Sequence, residues 1–392
     1  MARRVLLTWE QGAGFGHTVQ LARLGRRLAE AGAEVAAAVR YLQNAGPLAE
    51  AGIRLIQAPP WPAPAPRPND HIPASATLTD SLARVGLRDP DSVRPVLRAW
   101  RDLLDAERPD LMVCDYAPLA GLAARGRCPV MQASTAYCLP PADLEAMPVF
   151  HDFVPPLHTD AEVVAGVNAA LADEGLAPID RIGALFTGDD AFVRSFQLLD
   201  PYADLRSRQA EGPVMAEAMR EALPGARTVF AYVHTDVAAR PDVAAVLMAL
   251  APRLEIFVPG VDPSWLAPLS AAGAIVHGLP VSMAEAMARS RLLIHQGSAG
   301  VAADALAAGV PQVTFSVHVE HWLNGEALAA AGLSRNFPLF HPDARVAPEP
   351  VLAALEDRDM AMIAAAAGRM HRSELAARDP LDVLTERCRA LL

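Results

Sequence analysis

His17 closes a glycine loop, Gly12-Ala-Gly-Phe-Gly-His17, set between a short apolar run and a helical pattern. An imidazole there has two readings: a base facing a ligand that the glycines allow close to the helix, or a ring that caps or packs that helix. Asp115 ends the apolar run Leu-Met-Val-Cys-Asp. A carboxylate at the end of a buried strand costs desolvation unless it has a partner. Topology places His17 at the same sheet edge, and an Asp–His pair would fix the imidazole in one tautomer and raise its basicity. The plainer alternative is a helix-capping aspartate. A third stretch begins His295-Gln-Gly-Ser-Ala-Gly and continues through Asp304 to Gly309-Val-Pro311. Its order is strand, small-residue turn, helix. Gly297, Ser298, Ala299 and Gly300 would open that helix with bare amides and the positive end of its dipole, an anion site suited to phosphates. The alternative is a turn of small residues chosen only for tight packing.

Other motifs carry less. The dinucleotide fingerprint G-x-G-x-x-G needs a sixth-position glycine, and here that position is His17, although Glu34 stands where a ribose-binding acid would. Asp89-Pro-Asp91 has the D-x-D form of a metal-nucleotide chelate but lies between helical patterns, as a solvated turn would. His318-Val-Glu-His321 has metal-capable side chains, yet a catalytic zinc needs a further ligand. No metal and no cofactor are therefore expected.

The elements that must position these residues alternate. Strand candidates are Val5–Trp9, Glu34–Val39, Leu55–Ala58, Leu111–Asp115 and Pro129–Ser134, then Thr228–His234, Leu254–Val258, Ala274–His277, Leu292–His295 and Gln312–Val317. Helical patterns fall between them. The strand runs are apolar on both sides, as in parallel strands covered by helices on both faces. The fold class is thus α/β, two doubly wound parallel sheets. Leu198–Pro213, rich in Asp, Arg, Pro and Gly, reads as the interdomain linker. Domains are expected over 1–205 and 214–378, with 379–392, after the break at Asp379-Pro380, as a C-terminal helix on the first domain.

The chain has 392 residues, 34 basic and 45 acidic, for a net charge of −11, and every basic residue is arginine. That balance, without a basic block, argues against nucleic acid as a partner. Hydrophobic residues make up 52%, which excludes wholesale disorder. Four cysteines show no C-x-x-C pair and no zinc spacing, which points to a reducing compartment. There is no apolar run long enough for a leader or a membrane span, so a cytoplasmic protein is expected.

Taken together, Gly14-Phe-Gly-His17, Asp115 in Val-Cys-Asp-Tyr-Ala-Pro, and the stretch from Leu279-Pro280 through His295 to Glu320-His-x-x-Asn324 resemble the nucleotide-sugar-dependent glycosyltransferases of the GT-B fold, in the UDP-glycosyltransferase group of bacterial natural-product type. The resemblance covers nearly the whole chain. It implies two Rossmann-like domains facing across a cleft, the first for the acceptor and the second for the donor, and a metal-free inverting transfer from a UDP- or dTDP-sugar to a hydroxyl of a small-molecule or lipid acceptor. By position, His17 would be the base and Asp115 its orienter. The donor would meet Gly14, Gly16, Thr235, the backbone of Val281, His295 and the amides of Gly297, Ser298, Ala299 and Gly300 at the diphosphate, Asp304 at the ribose, and Glu320 and His321 at the sugar hydroxyls. The acceptor would meet Trp61, Ser134 and Tyr137, its pocket built from variable loops at Trp61–Pro73 and Tyr137–Phe153. The chain departs from the family pattern at Val301, where a threonine is usual, at Gly278, where an aromatic often stacks on the base, and at His234-Thr235. The resemblance leaves room for a monomer or homodimer and for contact with a membrane surface. Two rivals remain: a catalytically silent member that binds a nucleotide sugar or a partner, and a GT-B-fold epimerase acting on the nucleotide sugar.

Overall fold

The computed structural model describes residues 2–12, 14–61, 74–223, 226, 228–341 and 343–392. The chain forms two compact units, Met1–Ala216 with Asp379–Leu392, and Glu217–Arg378.

The first unit holds β1 (Arg4–Trp9), β2 (Glu34–Val39), β3 (Arg54–Gln57), β4 (Leu111–Asp115), β5 (Val130–Ser134) and β6 (Asp190–Val193). They form one parallel sheet in the order β3-β2-β1-β4-β5-β6. Every residue of β4 and β5 is buried, because helices cover both faces. The helix Gly16–Glu30 returns over the sheet and buries Leu21, Leu24 and Leu28, which share one stripe at helical spacing. Leu381, Leu384 and Cys388 of the terminal helix Pro380–Leu391 enter the same core cluster as those leucines. Arg387 ties that helix down: it donates to Asp190 Oδ2 at 2.6 Å and to the Ala191 carbonyl at 2.7 Å, and it pairs with Glu211.

The second unit holds β7 (Thr228–Tyr232), β8 (Leu254–Phe257), β9 (Ile275–His277), β10 (Ser290–His295), β11 (Gln312–Ser316) and β12 (Ser334–Pro338). Its parallel sheet runs β12-β11-β10-β7-β8-β9. In both sheets the strand order reverses at one point, between β1 and β4 in the first and between β7 and β10 in the second. Open α/β sheets bind ligands beyond the carboxyl ends of the strands at that switch point. The expected doubly wound architecture is present twice.

Three details differ from the sequence reading. β6 and β12 are edge strands of four and five residues that it did not anticipate; neither is a continuous apolar run, since an edge strand is only partly covered. Leu198–Pro213 is packed into the first unit instead of linking two. Tyr202 is fully buried and its hydroxyl donates to the Tyr137 carbonyl, while Arg206 pairs with buried Asp200 at 2.5 Å and donates to the Leu139 carbonyl at 2.6 Å. Of the charges that suggested a solvated linker, Asp200 and Arg206 neutralise each other inside, while Asp204 and Arg208 are exposed. The first unit accordingly runs to Ala216, past residue 205. Among the described residues no helix is long and apolar enough to cross a membrane.

Candidate functional site

The first constellation lies at the β1/β4 switch point. β1 and β4 are in register with Trp9 opposite Asp115. Beyond Trp9 the chain turns through Gly12 (φ +88°) and Gly14 (φ +82°), whose carbonyl accepts from Asn44 Nδ2, and enters its helix at exposed Gly16. This turn carries His17 back over the strand ends. The ring stacks on Trp9 with centroids 5.1 Å apart, and its Nδ1 lies 3.0 Å from Asp115 Oδ2.

Asp115 is fully buried and has three partners: His17, Ser134 Oγ donating to Oδ1 at 2.7 Å, and Arg194 Nη2 at 2.7 Å from Oδ2. Burial opposes its charge, but Arg194 first, then His17 and Ser134, hold the carboxyl below the usual carboxylate range. An ionised carboxylate only accepts, so the proton of neutral His17 sits on Nδ1 and the lone pair on Nε2. A Cβ on Gly12 would stand 2.6 Å from Nε2, so only glycine leaves that nitrogen open. A general base needs that arrangement: an oriented imidazole with its second nitrogen exposed to a ligand.

The second constellation lies at the β7/β10 switch point. The helix Ala299–Ala308 follows β10 through Gln296, Gly297 and Ser298, and Ser298 does not cap it with its own side chain. Gly297 is buried with φ +96°, and a Cβ there would meet the His321 carbonyl oxygen at 2.5 Å. Its own carbonyl accepts from Asn324 Nδ2 at 2.8 Å. Ser298 and Ala299 are half-buried and Gly300 is exposed, so the amide end of the helix is open to an anion. Two buried polar atoms beside it lack partners, Gln296 Nε2 and His321 Nδ1. Burial, then the rings of His318, His295 and His234, hold His321 well below the usual histidine range, so it is neutral. Unpartnered buried polar atoms are costly in a finished core, and these two are free to meet a ligand's polar groups.

Glu320 and His321 both fall in the first turn of the helix Val319–Ala330, the former half-buried. Thr235 is exposed at the start of the short helix after β7, and Val281 is half-buried in the segment after β9. Asp304 is half-buried; burial and then repulsion by Glu217 push its carboxyl up to about 7. Glu217 accepts from Ser282 Oγ at 2.7 Å and from the Ala284 amide at 3.0 Å, and so anchors the chain just after Val281.

Several expectations change. His295 is 1% exposed, with Nε2 bonded to Gln312 Oε1 at 2.9 Å and Nδ1 accepting from the Gly297 amide at 3.1 Å. Burial brings its pKa down to about 4. With both nitrogens engaged it braces the turn into the helix Ala299–Ala308 and has no N–H left to offer a phosphate. Ser134 is buried and serves Asp115, so it offers the acceptor nothing. Tyr137 is 7% exposed and packs against Phe150. Trp61 is half-buried with its Nε1 buried and unpartnered; 62–73, the rest of that expected acceptor loop, lies outside the described residues. Asp89 caps the helix Pro90–Glu107, accepting from the Asp91 amide and Ser92 Oγ. Among the described residues no group of three or more His, Cys, Asp or Glu is placed to hold a metal ion. Sequence reasoning missed Arg194, Glu217 and Gln296.

A substitution tests the second constellation. Gly297→Ala places a Cβ against the His321 carbonyl and forces a left-handed conformation costing about 1–2 kcal/mol. Its affinity for a nucleoside diphosphate, measured by titration calorimetry, should fall about tenfold or more. A folded variant with unaltered affinity would remove this loop from the site.

Compared with protein-family models and with curated proteins, the chain matches none. Solved structures with a similar fold include the glycotransferase of kitacinnamycin, at 20% identity and a TM-score of 0.70 over 100% of both chains. Another is the glycosyltransferase SnogD from Streptomyces nogalater, at 18% identity and a TM-score of 0.66 over 100% of both chains. A third is the spinosyn rhamnosyltransferase SpnG complexed with thymidine diphosphate, at 16% identity and a TM-score of 0.63, covering 97% of this chain and 98% of that one. At these identities the likeness is one of fold, and the fold is GT-B.

Proposed function

We propose that this protein is a cytoplasmic, metal-independent, inverting glycosyltransferase that moves a sugar from a dTDP- or UDP-sugar to a hydroxyl of a small-molecule or lipid acceptor. The first unit takes the acceptor and the second the donor. The observation that carries this is the His17–Asp115 pair at 3.0 Å, with Nε2 left open by Gly12. The similar structures are glycosyltransferases, and the thymidine diphosphate bound in SpnG supports a dTDP-sugar first.

In the transfer, His17 Nε2 takes the proton of the acceptor hydroxyl as its oxygen attacks the anomeric carbon. Asp115 accepts from Nδ1–H throughout and stabilises the imidazolium. The bond from the anomeric carbon to the phosphate oxygen breaks, and the charge developing on the diphosphate is met by the amides at Ser298–Gly300. One displacement inverts the anomeric centre. His321 Nδ1 and Gln296 Nε2 offer the sugar nucleotide two polar partners, the amide nitrogen as a donor. Glu320, beside His321, completes the set for sugar hydroxyls, and Asp304 stands ready for the ribose.

A thermal-shift panel tests the donor half. A ligand that binds only the folded state, at about 100 times its dissociation constant, adds about 2.7 kcal/mol. dTDP or UDP should raise the melting temperature equally with and without a chelator. Stabilisation that vanishes with the chelator would refute the metal-free mechanism. The absence of any shift with pyrimidine nucleotides would exclude a working donor site.

A further inference from the structure

We propose that Arg194 is a positioning residue that acts through Asp115 to favour the uncharged form of His17, the form ready to take a proton. This rests on the reading of His17 as the base.

The guanidinium and the imidazole share one oxygen of the carboxylate: Arg194 Nη2 lies 2.7 Å and His17 Nδ1 3.0 Å from Asp115 Oδ2. Arg194 has a side chain only 5% exposed, and Asp115 none. β6 puts it there, since Val193 pairs with Ser134 and the Arg194 amide donates to the Ser134 carbonyl at 2.8 Å. Groups this buried favour the protonation state with no net charge. A bare Asp115–His17 pair is neutral overall when the imidazole is protonated. With the permanent cation of Arg194 added, the cluster is neutral when the imidazole is not protonated. Arg194 thus reverses which form of His17 the site prefers, while Asp115 still fixes its tautomer.

The other charged groups near the ring do not compete for it. Glu10, following β1, has a carboxyl that burial pushes up to about 7, and turns it to Trp100 Nε1 at 2.7 Å and the Leu119 amide at 2.9 Å. Arg40, following β2, donates to Gln11 Oε1 at 2.9 Å. Nearby Asp115 is held ionised chiefly by Arg194 once burial is overcome.

The ionisation of His17 can be followed by NMR of the imidazole, assigned with His17→Gln, in the full chain without donor or acceptor. Arg194→Gln should raise the His17 pKa by about 1–3 units. Arg194→Lys keeps the charge and should leave it within a few tenths of a unit. The acid limb of the pH–rate profile should move with Arg194→Gln in the same direction. A folded Arg194→Gln with an unmoved His17 would reduce Arg194 to packing. If that variant does not fold, a folded Arg194→Lys whose His17 pKa rises by a unit or more overturns the proposal equally. Because the titration needs no turnover, its failure is separable from failure of the transferase reading, which His17→Ala tests by rate.

Discussion

Replacing His17 by alanine should lower sugar transfer by about 10²- to 10⁴-fold, the usual worth of a positioned general base. A hydroxyl is a weak nucleophile at neutral pH, and in this structure the open Nε2 of His17 is the group oriented to take its proton. Binding of a nucleoside diphosphate should be nearly unaffected, because the amides proposed to hold it belong to the second unit. Comparing kcat with the nucleotide Kd separates the two. A folded His17→Ala variant with near-normal rates on an alcohol acceptor would place the base elsewhere.

Asp115→Asn should be costly in a different currency. On the dyad alone, the change keeps shape and loses only orientation and charge, so a loss of rate is expected. Arg194 alters that expectation, because its guanidinium is buried against Asp115 at 2.7 Å. Removing one member of a buried ion pair costs about 3–5 kcal/mol, since the other charge is stranded. For a domain of this size that corresponds to a fall of roughly 6–20 °C in melting temperature. Adding Arg194→Met to Asp115→Asn removes the stranded charge and should recover part of the loss. Equal melting temperatures for Asp115→Asn and the parent chain would show that the pair contributes nothing to stability.

The central strands and the two switch-point loops were legible in the sequence because burial on both faces writes unbroken apolar runs, and a turn between strand and helix needs glycine. His17 and Asp115 could be paired from topology alone for the same reason. Arg194 could not: it follows β6, an edge strand whose first two residues are not buried, and without that strand nothing places an arginine at the sheet's carboxyl edge. Ser134 was visible, but its hydroxyl's direction was not, and the bond to Asp115 turned an expected acceptor contact into support for the dyad. His295 shows the same limit. Its motif marks the turn into the helix Ala299–Ala308, yet spacing does not reveal that Gln312, seventeen residues on, occupies its Nε2. Leu198–Pro213 misled through composition, since paired charges such as Arg206 and Asp200 can be buried as readily as exposed.

The most direct test is release of nucleoside diphosphate from a panel of dTDP- and UDP-sugars offered with hydroxylated acceptors, read for the parent chain and His17→Ala together with the anomeric configuration of the product. The parent chain should release one diphosphate per glycosylated acceptor, with inversion and undiminished by a chelator, and His17→Ala should release about 10²-fold less or lower still. Interconversion of the sugar nucleotide without an acquired acceptor, retention of configuration, or equal release by both chains would contradict the account.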